Sequence, residues 1–385
     1  MLTCQKELFS LPDDTHYLNC AFMSPMLQSV AQAGKIAIHG KDDPTTIKPD
    51  DFFQNTKRLR EAFAKLIGVA DERMCAVIPS VSYGMSNVAK NLNAKRGDNI
   101  VLAGEQFPSN VYAWMTLAEE QNLELRLVEP PSSTHERGKK WNESILNQID
   151  DKTCLVSTGH VHWADGTLFD LKAFRQRTLA VDALLVVDGT QSIGALPFDV
   201  AEFQPDAVIV AGYKWLMGPY ALGMAYYGPK FSEGKPIENN WMNRLYSENF
   251  GGLVNYQNAY QDGSIRYEMG ESANFILCPM LTEAIEQVQQ WGPQNIQDYC
   301  ANLSLPYIEQ LKEMGVMVED QAQRSNHLFG LRLPKHAAMD KIQLALAQHR
   351  IFVSVRGNSI RVAPHLYNKK DDFEALVACF KKELQ

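Results

Sequence analysis

The sequence predicts an α/β fold, a mainly parallel seven-stranded sheet with helices on both faces, followed by a smaller C-terminal α+β unit. Three observations lead there. Seven short β-rich runs fall between residues 74 and 228, most are separated by segments with apolar residues at three- and four-residue intervals, and the alternation stops at a Gly- and Pro-containing stretch. Repeated strand and helix of this kind covers the strands on both faces, so the runs are almost wholly apolar.

Residues 27–41 (LQSVAQAGKIAIHGK) and 52–69 (FFQNTKRLREAFAKLIGV) have helical periodicity. The strand runs come next as MCAVIPS, NIVLAG, LELRLVE, TCLVSTGH, ALLVVDG, DAVIVAG and ALGMAYYG, with SYGMSNVAKNL, SNVYAWMTLAEEQ and DLKAFRQRTLA as helices among them. DAVIVAG and ALGMAYYG lie too close for a helical crossover, so one antiparallel strand joins the sheet. EPPSSTHERGKK (129–140) reads as a polar surface connection and GPKFSEGKPIENN (228–240) as a loop. Beyond it come a helical region over 273–314, then HLFGLRLP, KIQLALAQHR, IFVSVRG, SIRVAPH and a last amphipathic helix. With 385 residues the chain is expected to form two domains. Residues 21–260 would be the large one and 261–385 the small one, with 1–20 packing on the small domain.

Composition excludes several functions. Lys and Arg number 37 against 45 Asp and Glu, a net charge of -8, and no basic cluster offers a footprint for nucleic acid. Seven scattered cysteines without CxxC spacing suggest a reduced set of small core residues and no metal site. The first twenty residues hold no apolar signal segment, and no run approaches the roughly 18 apolar residues of a membrane span. The expectation is a cytoplasmic protein without membrane or nucleic-acid partners.

Ligands of open parallel sheets bind beyond the carboxyl ends of the strands, which directs attention to the residues just past each run. ALLVVDGTQ ends on Asp188, and DAVIVAGYK ends on Lys214 between two aromatic residues and before a Gly-Pro corner. Alone, the acid reads as a turn cap and the lysine as a side chain reaching solvent. Together they place an amine able to form Schiff bases and an ionised carboxylate at one sheet edge, the pair that pyridoxal phosphate requires. Ser80-Val81-Ser82 opens a helix where backbone N–H groups could hold a phosphate, with the hydroxyl of Ser82 beside them. Phe107 comes after the next strand and could stack on a flat ring.

The motifs VDGTQSIGALPFDV, VIVAGYKWLMGPYALG and SIRVAPHLYN, with the opening YLNCAFMSP, resemble the class V aminotransferases of the fold-type-I pyridoxal-phosphate enzymes. That group also holds cysteine desulfurases, kynureninases and isopenicillin N epimerase. The resemblance implies that residues 21–260 bind the cofactor, with Lys214 as the Schiff-base amine and α-proton carrier and Asp188 on the pyridine nitrogen. It implies that Gln191 bonds the ring hydroxyl, Tyr213 reaches the phosphate and Phe107 stacks on the ring. Arg361 would bind a substrate carboxylate. It further implies a homodimer whose partner contributes phosphate contacts from RYEMGESAN, where Glu271 and Ser272 stand in place of the usual threonine; Ser272 is the contact expected, since glutamate would repel a phosphate. In GHVHWADG, His160, His162 and Trp163 either shape the pocket or are satisfied strand-end residues.

The cofactor allows several reactions, and fold does not choose among them. A desulfurase needs a nucleophilic cysteine on a loop before the substrate arginine, whereas Lys341 to Arg361 contains none and FVSVRGNSIRV is tight. The expectation is an enzyme acting on a small α-amino acid, with a 2-oxoacid as possible second substrate, and an aminotransferase first. A β-lyase of kynureninase or cysteine-lyase type, or an epimerase, is the alternative. A non-catalytic binding protein of the same fold is the reading from another class.

Overall fold

The computed structural model describes residues 2–132, 136–357 and 359–384. The chain enters through a two-residue strand β1 (His16–Tyr17) and helices α1 (Gln28–His39) and α2 (Asp51–Leu66). Strands β2 (Cys75–Ile78), β3 (Asn99–Ala103), β4 (Glu124–Val128), β5 (Thr153–Gly159), β6 (Leu184–Asp188), β7 (Ala207–Ala211) and β8 (Gly223–Tyr227) form one sheet in the order β2-β8-β7-β6-β5-β3-β4. Only β8 runs against its neighbours, pairing antiparallel with both β7 and β2. The short connection between β7 and β8 leaves no room for a crossover helix, as the sequence implied.

Helices α3 (Val81–Lys90), α4 (Tyr112–Gln121), α5 (Arg137–Asn147), α6 (Leu171–Ala180) and the single-turn α7 (Val200–Phe203) connect the strands. Alternate strand residues feed two apolar layers: Val208 and Val210 lie in one and Ala207 and Ile209 in the other, all fully buried. The stretch expected as a surface connection is corrected in its second half. Residues 133–135 lie outside the described residues, but Arg137–Lys140 already belong to α5. Arg137 is buried because its guanidinium pairs with Asp165 at 2.8 Å and lies 4.8 Å from the centre of the Trp141 ring.

The helical region expected over 273–314 is two helices, α8 (Leu277–Trp291) and α9 (Pro293–Glu313). Gly292, at φ +77°, makes the break in a conformation that costs other residues a Cβ clash. Leu281 and Ile285 of α8 join the layer of Val208 and Val210, so the core of the sheet continues past residue 260. A separate core gathers Ile308 and Leu311 of α9 with β9 (Phe329–Arg332), α10 (Met339–Gln348), β12 (Ser359–Val362) and α11 (Lys370–Leu384). There β11 (Ser354–Arg356), β12 and β9 form an antiparallel sheet, and β10 (Ile351–Phe352) pairs in parallel with β1. The N-terminal segment then runs along β12, with Cys20 N–H donating to Ala363 O at 3.1 Å and Ala363 N–H to Leu18 O at 2.8 Å.

Candidate active site

The sheet order reverses direction around β3 and β5, and a cavity of about 340 Å³ opens there at the carboxyl ends of the strands. Five strand ends supply its walls: Ser80, Val81 and Ser82 after β2, Phe107 after β3, Trp163 after β5, Asp188 at the end of β6 with Gln191 after it, and Tyr213 and Lys214 after β7.

Each wall has a local cause. Ser80 is extended (φ -163°, ψ 161°) and caps α3, its Oγ accepting from Tyr83 N–H at 3.2 Å and lying 3.0 Å from Ser82 Oγ. The first N–H groups of α3 and two exposed hydroxyls thus face one wall of the cavity. Asp188 ends β6 and caps a short 3-10 turn, accepting from Thr190 N–H at 3.0 Å. Thr190 in turn accepts from Ala211 N–H at 3.1 Å, which ties the end of β6 to the end of β7. Past β7 the chain makes a closed loop, with Gly212 N–H donating to Leu222 O and Gly218 N–H to Gly212 O, both at 2.9 Å. Ser24 of the N-terminal segment pins that loop from outside by donating to Tyr213 O at 3.1 Å.

Lys214 is therefore held almost dry, 6% exposed, with Nζ 5.2 Å from the centre of the Phe107 ring and 5.4 Å from that of Tyr213. Burial pushes its ammonium down to about 8; Asp188 opposes that, while Arg361 and Arg356 add to it. The Asp188 carboxyl is pushed up by burial, against which the Thr190 bonds and Lys214 act.

Other residues named from the sequence fall in different places. Gln191 lines the cavity, but its amide is engaged at both ends, Nε2 donating to Ala21 O at 3.2 Å and Oε1 accepting from Trp215 Nε1 at 2.8 Å. The Tyr213 ring packs on Tyr220 at 4.7 Å. His160 points into the layer of Phe198 and Phe203, where burial first and His327 second push it down to about 3. His162 has Asp165 Oδ1 and Glu105 O at 3.0 Å from its two ring nitrogens. Trp163 is a wall of the cavity, edge-on to Phe107 at 5.5 Å. Arg361, 1% exposed, stands behind it and donates to Trp163 O at 2.8 Å. Ser272 is not brought to the cavity: fully buried, its hydroxyl donates to Glu268 Oε2 at 3.0 Å.

Sequence reasoning missed Asn19, whose Oδ1 receives Arg361 Nη2 at 3.4 Å and Ser354 Oγ at 2.9 Å, and it missed Arg356, whose guanidinium lies 5.2 Å from the centre of the Trp163 ring. The SVRG run before SIRV was the available signal for Arg356. Asn19 stands in the quoted YLNCAFMSP opening, but its role was hidden because it meets Arg361 across 342 residues.

These residues fit pyridoxal phosphate. A flat aromatic wall, an acid, a dry amine and a helix start with two hydroxyls share one cavity, and the described residues contain no cluster suited to a metal ion. Solved structures with the same architecture include the apo cysteine desulfurase of Thermococcus onnurineus NA1, with a TM-score of 0.83, 18% identity and coverage of 99% of this chain and 98% of that one. A C-DES mutant with glycine covalently linked to its PLP cofactor has a TM-score of 0.87, 20% identity and 98% coverage of both chains. Among relatives, the uncharacterized aminotransferase YcbU of Bacillus subtilis is 26% identical over 320 residues, covering 83% of this chain and 81% of that protein. The uncharacterized aminotransferase C777.03c of Schizosaccharomyces pombe is 25% identical over 389 residues, covering 98% and 94%. The family model described as Aminotransferase class-V matches residues 48–372, and with the fold and cavity in agreement the chain belongs to the class V aminotransferases, a pyridoxal-phosphate family.

Proposed function

We propose that the protein transfers the amino group of an α-amino acid to a 2-oxoacid, with Lys214 as the reactive amine. The observation that carries this reading is that Lys214 and Asp188 open into one cavity with the lysine ammonium pushed down to about 8. When bound, pyridoxal phosphate supplies an aldehyde that condenses with amines and a ring that accepts electrons from a bond broken at the substrate α-carbon.

The chain's own residues account for the rest. Lys214 Nζ, neutral in an appreciable fraction near neutrality, takes the α-proton and returns it. Asp188 holds a proton on the ring nitrogen, because its buried carboxylate gains most from a cation facing it. The α3 N-terminus with Ser80 and Ser82 receives the phosphate, Phe107 covers a ring face, and Gln191 and Tyr213 complete the wall. Arg361 receives the substrate carboxylate through a guanidinium fork. Lys214→Ala tests the reading: turnover with every amino acid should vanish, and surviving turnover would move the chemistry elsewhere.

One observation favours a second reading, elimination at the β-carbon. Strands β11 and β12 pair closely, Ser354 with Arg361 and Arg356 with Ser359, and no cysteine lies between Lys341 and Arg361, so a thiol-bearing loop has no place there. Cys20, which lies close enough to Lys214 and Arg361 for their charges to be felt, is fully buried, and burial pushes its thiol up to about 12. A persulfide carried on a protein thiol is therefore disfavoured. A solved complex of the cystine C-S lyase C-DES with its product cysteine persulfide has the same architecture, with a TM-score of 0.83 and 20% identity. Pyruvate and ammonia formed without a 2-oxoacid would support elimination. An amino acid formed only when an acceptor is added supports transfer.

The working form is a homodimer. A second groove of about 1160 Å³ between α1, α2 and the start of α8 is lined by Ile36, Ile38, Phe52, Trp241, Phe275 and Ile276, an apolar surface of the kind a second copy covers. Glu271 and Ala273 border the same groove. The Ser272 hydroxyl would have to leave Glu268 to reach a phosphate in the partner. The cytoplasm suits seven free thiols, and among the described residues no helix is long and apolar enough to cross a membrane.

A further inference from the structure

Two arginines behind the cavity carry charges that no carboxylate of the described chain balances. Arg361 is 1% exposed, and the groups that bear on its charge are Arg356, Tyr17 and Cys20; burial, reinforced by the repulsion of Arg356, pushes it down to about 9. Its Nη1 donates to Trp163 O at 2.8 Å, its Nη2 reaches Ser354 Oγ and Asn19 Oδ1 at 3.3 and 3.4 Å, and its Nε is buried without a partner. Arg356 has the same deficit. Nη1 donates to its neighbour's carbonyl, Val355 O, at 2.8 Å, Nε is buried and unpartnered, and burial lowers its ionisation.

The hairpin puts both on one face. Arg361 pairs with Ser354 and Arg356 with Ser359 across the β11–β12 ladder, so the residues at 354, 356, 359 and 361 point the same way. Arg332, next to Ser359 on β9, shows how this chain treats a cation it satisfies internally: its Nη2 meets Asp165 Oδ2 at 2.7 Å, and Arg137 meets the same oxygen at 2.8 Å. Arg361 and Arg356 receive nothing comparable. Both also bear on Lys214, lowering its affinity for a proton, so their free charge is felt in the cavity. A Trp163 ring face 5.2 Å from Arg356 is a weaker partner than an anion.

Resting on the proposed aminotransferase site, we propose that the substrate is a dianionic amino acid, with Arg361 taking the α-carboxylate and Arg356 the acid group of the side chain. One carboxylate would leave either the buried Arg361 or the half-buried Arg356 unbalanced, whereas a second acid completes the charge and fills the free Nε edge of each fork. Aspartate, glutamate and amino acids with a side-chain sulfinate belong to this class. Neutral amino acids such as alanine do not.

The test titrates the cofactor-loaded protein with succinate and glutarate against propionate and butyrate by calorimetry, which needs no turnover. The dicarboxylates should bind at least roughly tenfold more tightly, and Arg356→Gln should bring them down to the level of the monocarboxylates. Arg356→Lys, which keeps the charge but loses the fork, should retain part of the preference. Equal binding of mono- and dicarboxylates by the unmodified protein, or a preference that survives Arg356→Gln, overturns the proposal. Its failure is separable from that of the proposed function: a coloured protein with borohydride-fixed cofactor on Lys214 and no dicarboxylate preference loses only the dianionic substrate. A protein that retains no cofactor loses the function, and the same titration of the cofactor-free protein, with its Arg356→Gln variant, still reads the two arginines.

Discussion

Asp188 and Lys214 ease one another's burial. The carboxylate, on the last residue of β6, favours the ammonium that comes after β7, and the ammonium favours the carboxylate, yet burial wins in both and drives each toward its neutral form. Parallel pairing of the two strands, with Asp188 opposite Ile209, fixes their spacing. An acid and an amine each inclined to be neutral suit a site that waits for a charged ring and an aldehyde.

The first prediction concerns the pH at which Lys214 reacts. A lysine ammonium lowered from 10.5 to about 8 is nucleophilic only in its neutral form, so the rate at which added pyridoxal phosphate is captured should rise as pH increases through about 8 and level off above it. Colour development on the cofactor-free protein measures this. A rate still climbing toward pH 10.5 would mean a solvated lysine.

Removing the acid should move that midpoint. Asp188→Ala deletes the group that raises the Lys214 value, so the capture profile should shift to lower pH. Turnover should fall by roughly 100-fold or more, since the charge facing the ring is lost. A shift to higher pH would contradict the coupling between the two residues.

Phe107 separates cofactor retention from stability. Its ring is 39% exposed and meets Lys214 Nζ and Trp163. Phe107→Ala should weaken cofactor retention during dialysis while changing unfolding free energy by less than about 0.5 kcal/mol. Unchanged retention would remove Phe107 from the cofactor wall.

Gly194 supports Lys214 from behind. It sits at φ +106°, and a Cβ there would lie 2.2 Å from Trp215 O, on the residue after the lysine. Gly194→Ala should cost about 2 kcal/mol or more in urea unfolding, because neither backbone can yield cheaply. A cost near zero would show that the loop relaxes.

Asp165 is the acid that joins α5 to β9, pairing with Arg137 and Arg332. Burial opposes its charge, but His162, then Arg137 and Arg332, more than offset that and hold the carboxyl well below the usual range. A depressed carboxyl contributes stability that is full above its unfolded value, about 3.9, and is lost as pH falls below it. Asp165→Asn should therefore destabilise by about 3–5 kcal/mol at neutral pH, and the difference from the unmodified protein should shrink in acid. Equal melting of the two proteins at neutral pH would contradict the network.

Local pattern was enough to give the succession of strands and helices, the single antiparallel strand and the placing of Asp188, Lys214, Phe107 and the α3 start at strand ends. Those features rest on short-range periodicity and on residues adjacent to the strands they leave. Pattern misled where burial decides. Arg137 read as surface charge until Asp165 and Trp141 enclosed it, and the helical region expected over 273–314 did not show the break that Gly292 makes at positive φ.

Which cations go unbalanced is a matter of packing in three dimensions. Arg332, Arg356 and Arg361 look alike along the chain, and the packing of Asp165 against β9 gives the first a carboxylate, whereas no carboxylate among the described residues balances the other two. Charge compensation acts through space over a few ångströms between residues separated by hundreds of positions, and the linear order of residues has no access to such distances.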